Sequence, residues 1–250
     1  MRRPAALATA TALLALTGAA PLAAAEQLIA DLSSREIRIT TGFTGAELLL
    51  FGATDARAGD IVIVVRGPGR VEEVRRKHRV AGIWMNGPAV PFKNVPGFYY
   101  VASTRPIEDI AKPPLLEQLQ IGLPALRLET VRPADPEVED SYREGLVRLK
   151  RNRSLYDAEA GTITVIGDRL FRTTISFPAG VPTGEYQVKV YLFRDGKPVS
   201  ASATPLLVLK SGLEAAIFRF AHDQSALYGI VAILAALVAG WLAGVIFRKA

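Results

Sequence analysis

The chain has 250 residues, no cysteine, and 30 Lys and Arg against 24 Asp and Glu. The absence of cysteine excludes disulfides, thiolate metal sites and covalent haem attachment. Arg2, Arg3, Arg248 and Lys249 lie at the two ends; setting these four aside leaves 26 basic and 24 acidic residues, a net charge of +2, which predicts no nucleic-acid binding.

The N-terminus has the three parts of a secretory signal peptide. A basic start precedes a short apolar core at residues 7–16 and an Ala-Ala-Ala site at residues 23–25. This pattern predicts a signal peptide over residues 1–25, cleaved after Ala25. The alternative is an uncleaved first membrane helix, but the apolar core is short for one.

Two regions, residues 26–105 and 154–210, carry β patterns. Residues 36–40 alternate with a period of two, and residues 60–66 form the continuous β-branched run of a strand that is buried on both faces. In the second region, Asp195-Gly196 is a strong type I′ hairpin signal. Residues 177–186 resemble the E–F corner of immunoglobulin-like domains.

Residues 106–153, between the two β regions, have helical patterns broken by prolines. Their best helix is expected from Pro136 to Arg153, where Tyr142, Leu146 and Leu149 share one stripe. Four strands after residue 153 make a poor independent core. We therefore expect a mainly β fold, with both β regions in one immunoglobulin-like β-sandwich and residues 106–153 as a helical insertion.

The C-terminal part predicts a membrane anchor. Residues 226–247 are apolar and uncharged, long enough for a transmembrane helix across a hydrocarbon core of about 30 Å. A juxtamembrane helix is expected over residues 211–225, with a simple extension of the anchor as the alternative, and residues 248–250 form a basic tail. The basic tail predicts a cytoplasmic C-terminus and an exported body.

Three sets of residues are candidates for binding. The basic ribbon of Arg75, Arg76, Lys77 and Arg79 has guanidinium groups that suit a small oxyanion, although a solvated strand explains it too. Trp84, Phe92 and Phe98 would form a partner surface or, alternatively, fill the core. In the anchor, Ala232, Ala236, Gly240 and Gly244 make a smooth face for a second copy or a transporter helix, although Ala-rich helices produce such faces by chance.

No catalytic motif is present. The two histidines, His78 and His222, are far apart and show no metal-ligand spacing, and there is no phosphate loop or nucleophile elbow. The sequence therefore predicts a non-enzymatic protein without a cofactor.

Several segments, taken in order, carry a resemblance: residues 36–53 ending in Phe-Gly-Ala, residues 80–86 (VAGIWMN), residues 95–99 (VPGFY), the helix start at Pro106-Ile107 and the C-terminal membrane helix. Together they resemble the alphaproteobacterial transmembrane protein family Alph_Pro_TM, over essentially the whole mature chain. The family has no established activity, so it supplies no functional residues. Its members are often encoded beside transporters resembling the sulfite exporters, which implies a periplasmic accessory subunit.

Together, these features predict a single-pass protein of the bacterial inner membrane with most of its chain in the periplasm. It would contact the lipid bilayer and act as a binding or accessory module for a membrane partner, such as a sulfite-exporter-like transporter. The alternative is a periplasmic sensor or solute-binding domain that holds an oxyanion on the basic ribbon.

Overall fold

The computed structural model describes residues 28–54, 59–132, 135–167, 169–212, 218 and 220–247. The predicted signal peptide over residues 1–25 and the tail over residues 248–250 lie outside the described residues. So do residues 213–217 and 219 of the predicted juxtamembrane helix.

Within the described residues the strands are β1 (Leu28–Leu32), β2 (Glu36–Ile39), β3 (Gly45–Thr54), β4 (Asp60–Arg66), β5 (Gly69–Val80), β6 (Ile83–Pro96), β7 (Tyr99–Ser103), β8 (Glu129–Thr130), β9 (Gly161–Thr162), β10 (Thr164–Ile166), β11 (Leu170–Pro178), β12 (Gly184–Arg194) and β13 (Lys197–Lys210). The helices are α1 (Ile107–Ile110), α2 (Pro113–Leu119), α3 (Pro136–Asn152) and α4 (Ser225–Phe247). The prediction of a mainly β chain with one apolar C-terminal helix is confirmed.

The strands form three sheets. One has four antiparallel strands in the order β1-β3-β11-β10, and a second has six strands in the order β2-β13-β12-β4-β7-β9. The six-stranded sheet is mixed, because β2 runs parallel to β13 and β9 runs parallel to β7 at its edges. The third sheet contains β5, β6 and β8. Since β4 pairs with β12 and β3 pairs with β11, strands from the two β regions share the first two sheets.

The core lies between the four-stranded and six-stranded sheets. Every second residue of β11 is buried, which is the pattern of a strand with one face on a core. From this strand Phe177 stacks on Phe98, with ring centroids 4.9 Å apart, and meets the edge of Tyr186 at 6.0 Å. These rings fill the end of the core that lies next to the β4–β5 connection.

The six-stranded sheet is covered on its other face by the helical segment. The hydroxyl of Tyr99 on β7 donates a hydrogen bond to Gln120 O at 2.7 Å and accepts one from Gly122 N at 2.9 Å. Arg66 on β4 donates to the Gln120 side chain at 2.6 Å. Burial on both faces explains why a continuous β-branched run forms β4, as predicted from residues 60–66.

The connection between β11 and β12 is closed by a tyrosine. Tyr186 is fully buried, and its hydroxyl donates to the carbonyl oxygen of Pro182, four residues earlier, at 2.5 Å. The two-residue turn at Asp195-Gly196 joins β12 to β13 with both residues in the left-handed region, as its sequence predicted.

Candidate functional site

A long hairpin of β5 and β6 extends beyond the two main sheets. Its strands turn at Ala81 and Gly82, where φ is +48° and +87°. Two successive left-handed residues are the requirement of a type I′ turn, and Ala-Gly meets it less easily than Asn-Gly. We call residues 75–88 the distal hairpin; apart from Gly87, which is buried, all of its residues are exposed.

The tip of the distal hairpin is apolar. Val80, Ile83, Trp84 and Met85 are exposed by 47%, 70%, 67% and 51%, respectively. Val80 pairs with Ile83 across the hairpin, Arg79 with Trp84 and His78 with Met85, so all four apolar side chains lie within three pairs of the turn. Folding therefore leaves a cluster of large apolar side chains in contact with solvent.

The three aromatic residues predicted as a partner surface do not lie on one surface. Trp84 is at the exposed tip, but Phe92 and Phe98 are buried. Phe92 lies opposite Thr130 of β8 under the hairpin base, and Phe98 stacks on Phe177 in the main core. The prediction of a partner surface is therefore corrected for Phe92 and Phe98. Both rings fill the core instead, because packing against β8 and β11 removes them from solvent.

The four cations of the basic ribbon lie on β5, and its three arginines contact separate groups of the protein. Arg75 pairs with Glu73 at 3.1 Å, and Arg79 Nε donates to Gly82 O at 3.1 Å. Arg76 sits in a bulge of the ladder, and its guanidinium lies 5.5 Å from the ring centroid of Tyr142 on α3. Lys77 pairs in register with Asn86.

The hairpin base is supported by α3. Asp135 caps this helix by accepting a hydrogen bond from Glu137 N at 3.1 Å, and Pro136 occupies its first turn, both common at helix N-termini. Near the other end, Lys150 pairs with Glu72 of β5 at 2.7 Å. Arg76 also donates to the hydroxyl of Ser141. The helix thus contacts β5 up to Arg76, and the distal hairpin continues past it.

Positive charge is concentrated in the distal hairpin. Residues 75–88 contain four Lys and Arg and no Asp or Glu. Since the chain between its basic ends has 26 basic and 24 acidic residues, the remainder has 22 against 24, a net charge of −2. The distal hairpin is therefore a cationic projection from a slightly acidic body.

Two clefts in the described body lie away from the hairpin. The larger has a volume of about 530 Å³ and is lined partly by Arg105, Glu108 and Asp157. Arg105 is held in a two-point contact with Asp60, both distances being 2.7 Å, and partial burial raises the pKa of Asp157. The second, of about 430 Å³, has Arg148 and Arg151 in its lining. Among the described residues, no three His, Asp or Glu side chains are grouped as metal ligands would be.

β4, which leads into the hairpin, and β13, which leads into the connection to α4, finish at the same end of the six-stranded sheet. β4 and β13 both run antiparallel to β12, so they are parallel to each other. The β4–β7 ladder continues towards the hairpin, because Gly67 N donates to Phe98 O. Two residues before β13 ends, Val208 pairs with Gly184, and a Cβ on Gly184 would lie 2.9 Å from Pro68.

Helix α4 is exposed in the described structure, although its Tyr228 ring lies edge-on to Phe220 just before it, with centroids 6.0 Å apart. It is long and apolar enough to cross a membrane from Ser225 to Gly244, and none of that span is buried. The predicted small-residue face, formed by Ala232, Ala236, Gly240 and Gly244, recurs every four residues along it. A Cβ on Gly240 or Gly244 would meet no described atom within 4 Å. Before α4, the His222 ring stacks on Phe218 at 4.1 Å.

The order of the chain's segments and its apolar C-terminal helix agree with a comparison to protein families. A family described as "Putative transmembrane protein (Alph_Pro_TM)" matches residues 27–249. No curated protein matches the chain.

Proposed function

This chain belongs to the Alph_Pro_TM family of transmembrane proteins, and from that membership we propose that it is a membrane-anchored accessory module. It is a non-enzymatic, single-pass protein of the bacterial inner membrane with its body in the periplasm. Its partner is embedded in the same membrane, and the sulfite-exporter-like transporters implied by the sequence resemblance are the first candidates.

One observation carries this proposal: the two unpartnered apolar features of the described chain leave the same end of one sheet. The hairpin continues the β4–β7 ladder, and β13, parallel to β4, leads towards α4. The anchored body therefore directs its exposed tip towards the membrane side. An enzyme or a soluble binding protein has no need of that arrangement.

The orientation follows from the sequence. A cleaved signal peptide exports the chain, and the Arg248-Lys249 pair after α4 stays in the cytoplasm by the positive-inside rule. We assign binding to the periplasmic body and to α4.

An immunoglobulin-like framework suits this role. The order of β1, β3, β11 and β10 in one sheet and of β13, β12, β4 and β7 in the other supports such a framework. The Tyr186–Pro182 hydrogen bond between β11 and β12 supports it as well, because immunoglobulin-like domains use a tyrosine at that corner. Domains of this kind are widely used for binding rather than for catalysis.

The oxyanion sensor is the weaker candidate. Arg75, Arg76 and Arg79 each contact a different group of the protein, and the clefts described above are lined by other residues. Oxyanion binding by guanidinium groups needs several donors aimed at one point. The basic ribbon has no such point.

The test is affinity purification of the full-length protein from its native membranes in mild detergent. Within membranes, helices associate through close packing of small residues, so Gly240→Leu with Gly244→Leu should release a partner that contacts this face. A matched control, Ala235→Leu with Ala239→Leu, adds similar bulk about 100° around the helix from that face. We expect one membrane protein to co-purify with the wild type and the control and to be lost from the Gly variant.

Recovery of the protein alone in all three forms would contradict the proposal. Recovery as a stable homo-oligomer without another membrane protein would replace the transporter with a second copy as the partner of α4. Size-exclusion chromatography with mass determination distinguishes these outcomes.

A further inference from the structure

We propose that the tip of the hairpin inserts into the surface of the bilayer that holds the anchor, and that the cations behind the tip contact anionic phospholipid headgroups. This inference rests on the membrane anchoring in the proposed function but needs no protein partner. Val80, Ile83, Trp84 and Met85 are the inserting side chains. Arg75, Arg76, Lys77 and Arg79 are the headgroup contacts.

The exposed apolar tip is typical of a surface that contacts another molecule or a membrane. Single exposed apolar residues are normal, but a contiguous group marks an interaction site. Val80 pairs with Ile83, and His78 pairs with Met85, so the apolar side chains of one hairpin face follow each other towards the turn. Trp84 lies on the opposite face beside Arg79. Only insertion end-on removes apolar side chains of both faces from water together.

The positive charge of the distal hairpin is complementary to anionic lipid headgroups, which favours a lipid surface as the binding partner. All four Lys and Arg of the distal hairpin precede the tip on β5 without an intervening carboxylate, whereas the rest of the exported body is slightly acidic. Anionic lipids attract basic segments close to the membrane, and apolar side chains beside them add binding. Tryptophan is enriched at the level of the headgroups. A protein partner would have to provide both an apolar socket and a surrounding acidic collar.

The spacing of the two kinds of residue fits the layers of a bilayer. A β-strand rises about 3.3 Å per residue, so the cations at 75–79 lie about 3 to 17 Å behind Val80 along β5. Interfacial elements bury their apolar side about 5 to 10 Å into the boundary between headgroups and acyl chains. Insertion of the tip to that depth therefore brings the cations to the phosphate groups.

The connection to the anchor is short enough to keep the tip within reach. β5 has 12 residues, a length of about 40 Å. Residues 211–224 join β13 to α4 and span at most about 46 Å if extended, or about 21 Å if helical. The backbone hydrogen bond from Gln224 N to Phe220 O is helical, and Tyr228 N continues the pattern by donating to Gln224 O. Because the hairpin and this connection start from the same end of the sheet, the tip meets the bilayer on the same side.

The fluorescence of Trp84 tests this inference directly. The chain has two tryptophans, and Trp241→Phe leaves Trp84 as the sole one. The full-length W241F protein is placed in nanodiscs of phosphatidylcholine with phosphatidylglycerol, with and without brominated acyl chains. We expect the Trp84 emission to be blue-shifted and to be quenched by the brominated lipid. In nanodiscs of phosphatidylcholine alone, or at about 1 M salt, where the Debye length is about 3 Å, the quenching should decrease.

Two variants and their controls separate the contributions of the tip and of the cations. Ile83→Asp should abolish the quenching, and Lys77→Glu with Arg79→Glu should reduce it in the anionic nanodiscs. The controls are Val199→Asp and Lys197→Glu, which alter exposed residues beside the β12–β13 turn, at the opposite end of the six-stranded sheet. Both controls should retain the quenching of the W241F protein.

Three results would overturn the inference. They are a Trp84 emission typical of water and insensitive to brominated lipid, quenching that persists after Ile83→Asp, and a blue-shifted emission that brominated lipid does not quench. The last would place Trp84 against protein, such as a second copy of the chain. The nanodiscs contain no other protein, so this experiment can succeed where co-purification of a transporter fails, and the reverse.

Discussion

Nζ of Lys150 lies 2.7 Å from Oε1 of Glu72, and this ion pair joins the last turn of α3 to the base of the hairpin. The Lys150 side chain is 6% exposed and the Glu72 side chain 35% exposed, so the lysine depends on this partner much more than the glutamate does. A buried ammonium group without a counter-charge loses its hydration with nothing to replace it. The pair therefore fixes α3 against the one strand that carries the basic ribbon.

Removal of each partner should have unequal effects. Glu72→Ala leaves the Lys150 charge buried and unpaired, and we expect it to lower the free energy of unfolding by about 3 kcal/mol. Lys150→Met replaces the buried charge with an apolar chain of similar length and leaves a glutamate that water can reach, so we expect a loss below about 1 kcal/mol. Urea unfolding followed by circular dichroism measures both.

The matched control is Lys93→Met, which removes the exposed pair of Lys93 with Glu129 on the same sheet. Surface pairs contribute about 0 to 1 kcal/mol, so little change is expected. Equal losses for Glu72→Ala and Lys150→Met would show that Lys150 finds water or another partner when Glu72 is absent.

The tyrosine between β11 and β12 should contribute through its hydroxyl group. Tyr186→Phe keeps the buried ring and removes the hydrogen bond to Pro182 O, so the free energy of unfolding should fall by about 1 kcal/mol. Tyr142→Phe on α3 is the control, since it keeps the ring under Arg76. A stability of Tyr186→Phe equal to that of the wild type would mean that the corner does not depend on this bond.

Alkaline pH should destabilise the body. Burial raises the pKa of Tyr99, Tyr156 and Tyr186 well above the usual value near 10. Because the folded state holds these protons more tightly, their contribution is complete below about pH 10 and is lost as the pH rises above that value. At about pH 11, one unit above that value, the ionisation of each buried tyrosine on unfolding should lower the free energy of unfolding by about 1 kcal/mol.

Urea unfolding at pH 8 and at about pH 11 tests this dependence. Tyr156→Phe should lose less stability between the two values than the wild type, although it also loses the bond to Pro96 O at 2.8 Å. A wild-type protein whose tyrosines ionise near pH 10 without unfolding would refute the assignment to burial.

The hairpin turn should become more stable with a better turn residue. Ala81 holds φ at +48°, a left-handed conformation that costs residues other than glycine about 1 to 2 kcal/mol. Ala81→Asn creates Asn-Gly, the preferred type I′ pair, and should slow hydrogen exchange of the distal hairpin amides severalfold. Asp195→Asn, at the similar turn between β12 and β13, is the control with little expected change. Faster exchange in A81N would show that the turn is not of this type.

The local elements were largely predictable because their signals are local. Continuous β-branched residues predicted β4, and the Asp195-Gly196 pair predicted a hairpin. The apolar stripe that contains Leu146 predicted α3 to within one residue of its end. The candidate site was less predictable. Trp84 and Phe92 are both aromatic residues of β6, yet one is exposed and the other is buried, because β8 and α3 cover only the base of the hairpin.

The exposed set of Val80, Ile83 and Met85 was missed for the same reason. Its signal in the sequence was the Ala81-Gly82 pair, which places those residues at a turn, although alanine makes the pair a weak turn signal. The immunoglobulin-like arrangement stays a prediction, and the parallel edges of the six-stranded sheet had no signal in any single strand.

By itself, the sequence determined that this chain has a helix able to cross a membrane and a mainly β body. The uncharged, apolar run of residues 226–247 is most stable in the hydrocarbon core of a membrane. The period-two pattern of a strand depends on neighbouring residues alone. Only the tertiary structure decided that the hairpin and the route to the anchor leave the body together. That relationship depends on β4 and β13 pairing in the same sense beside β12. The β4–β12 ladder joins residues more than a hundred positions apart, where no local pattern extends.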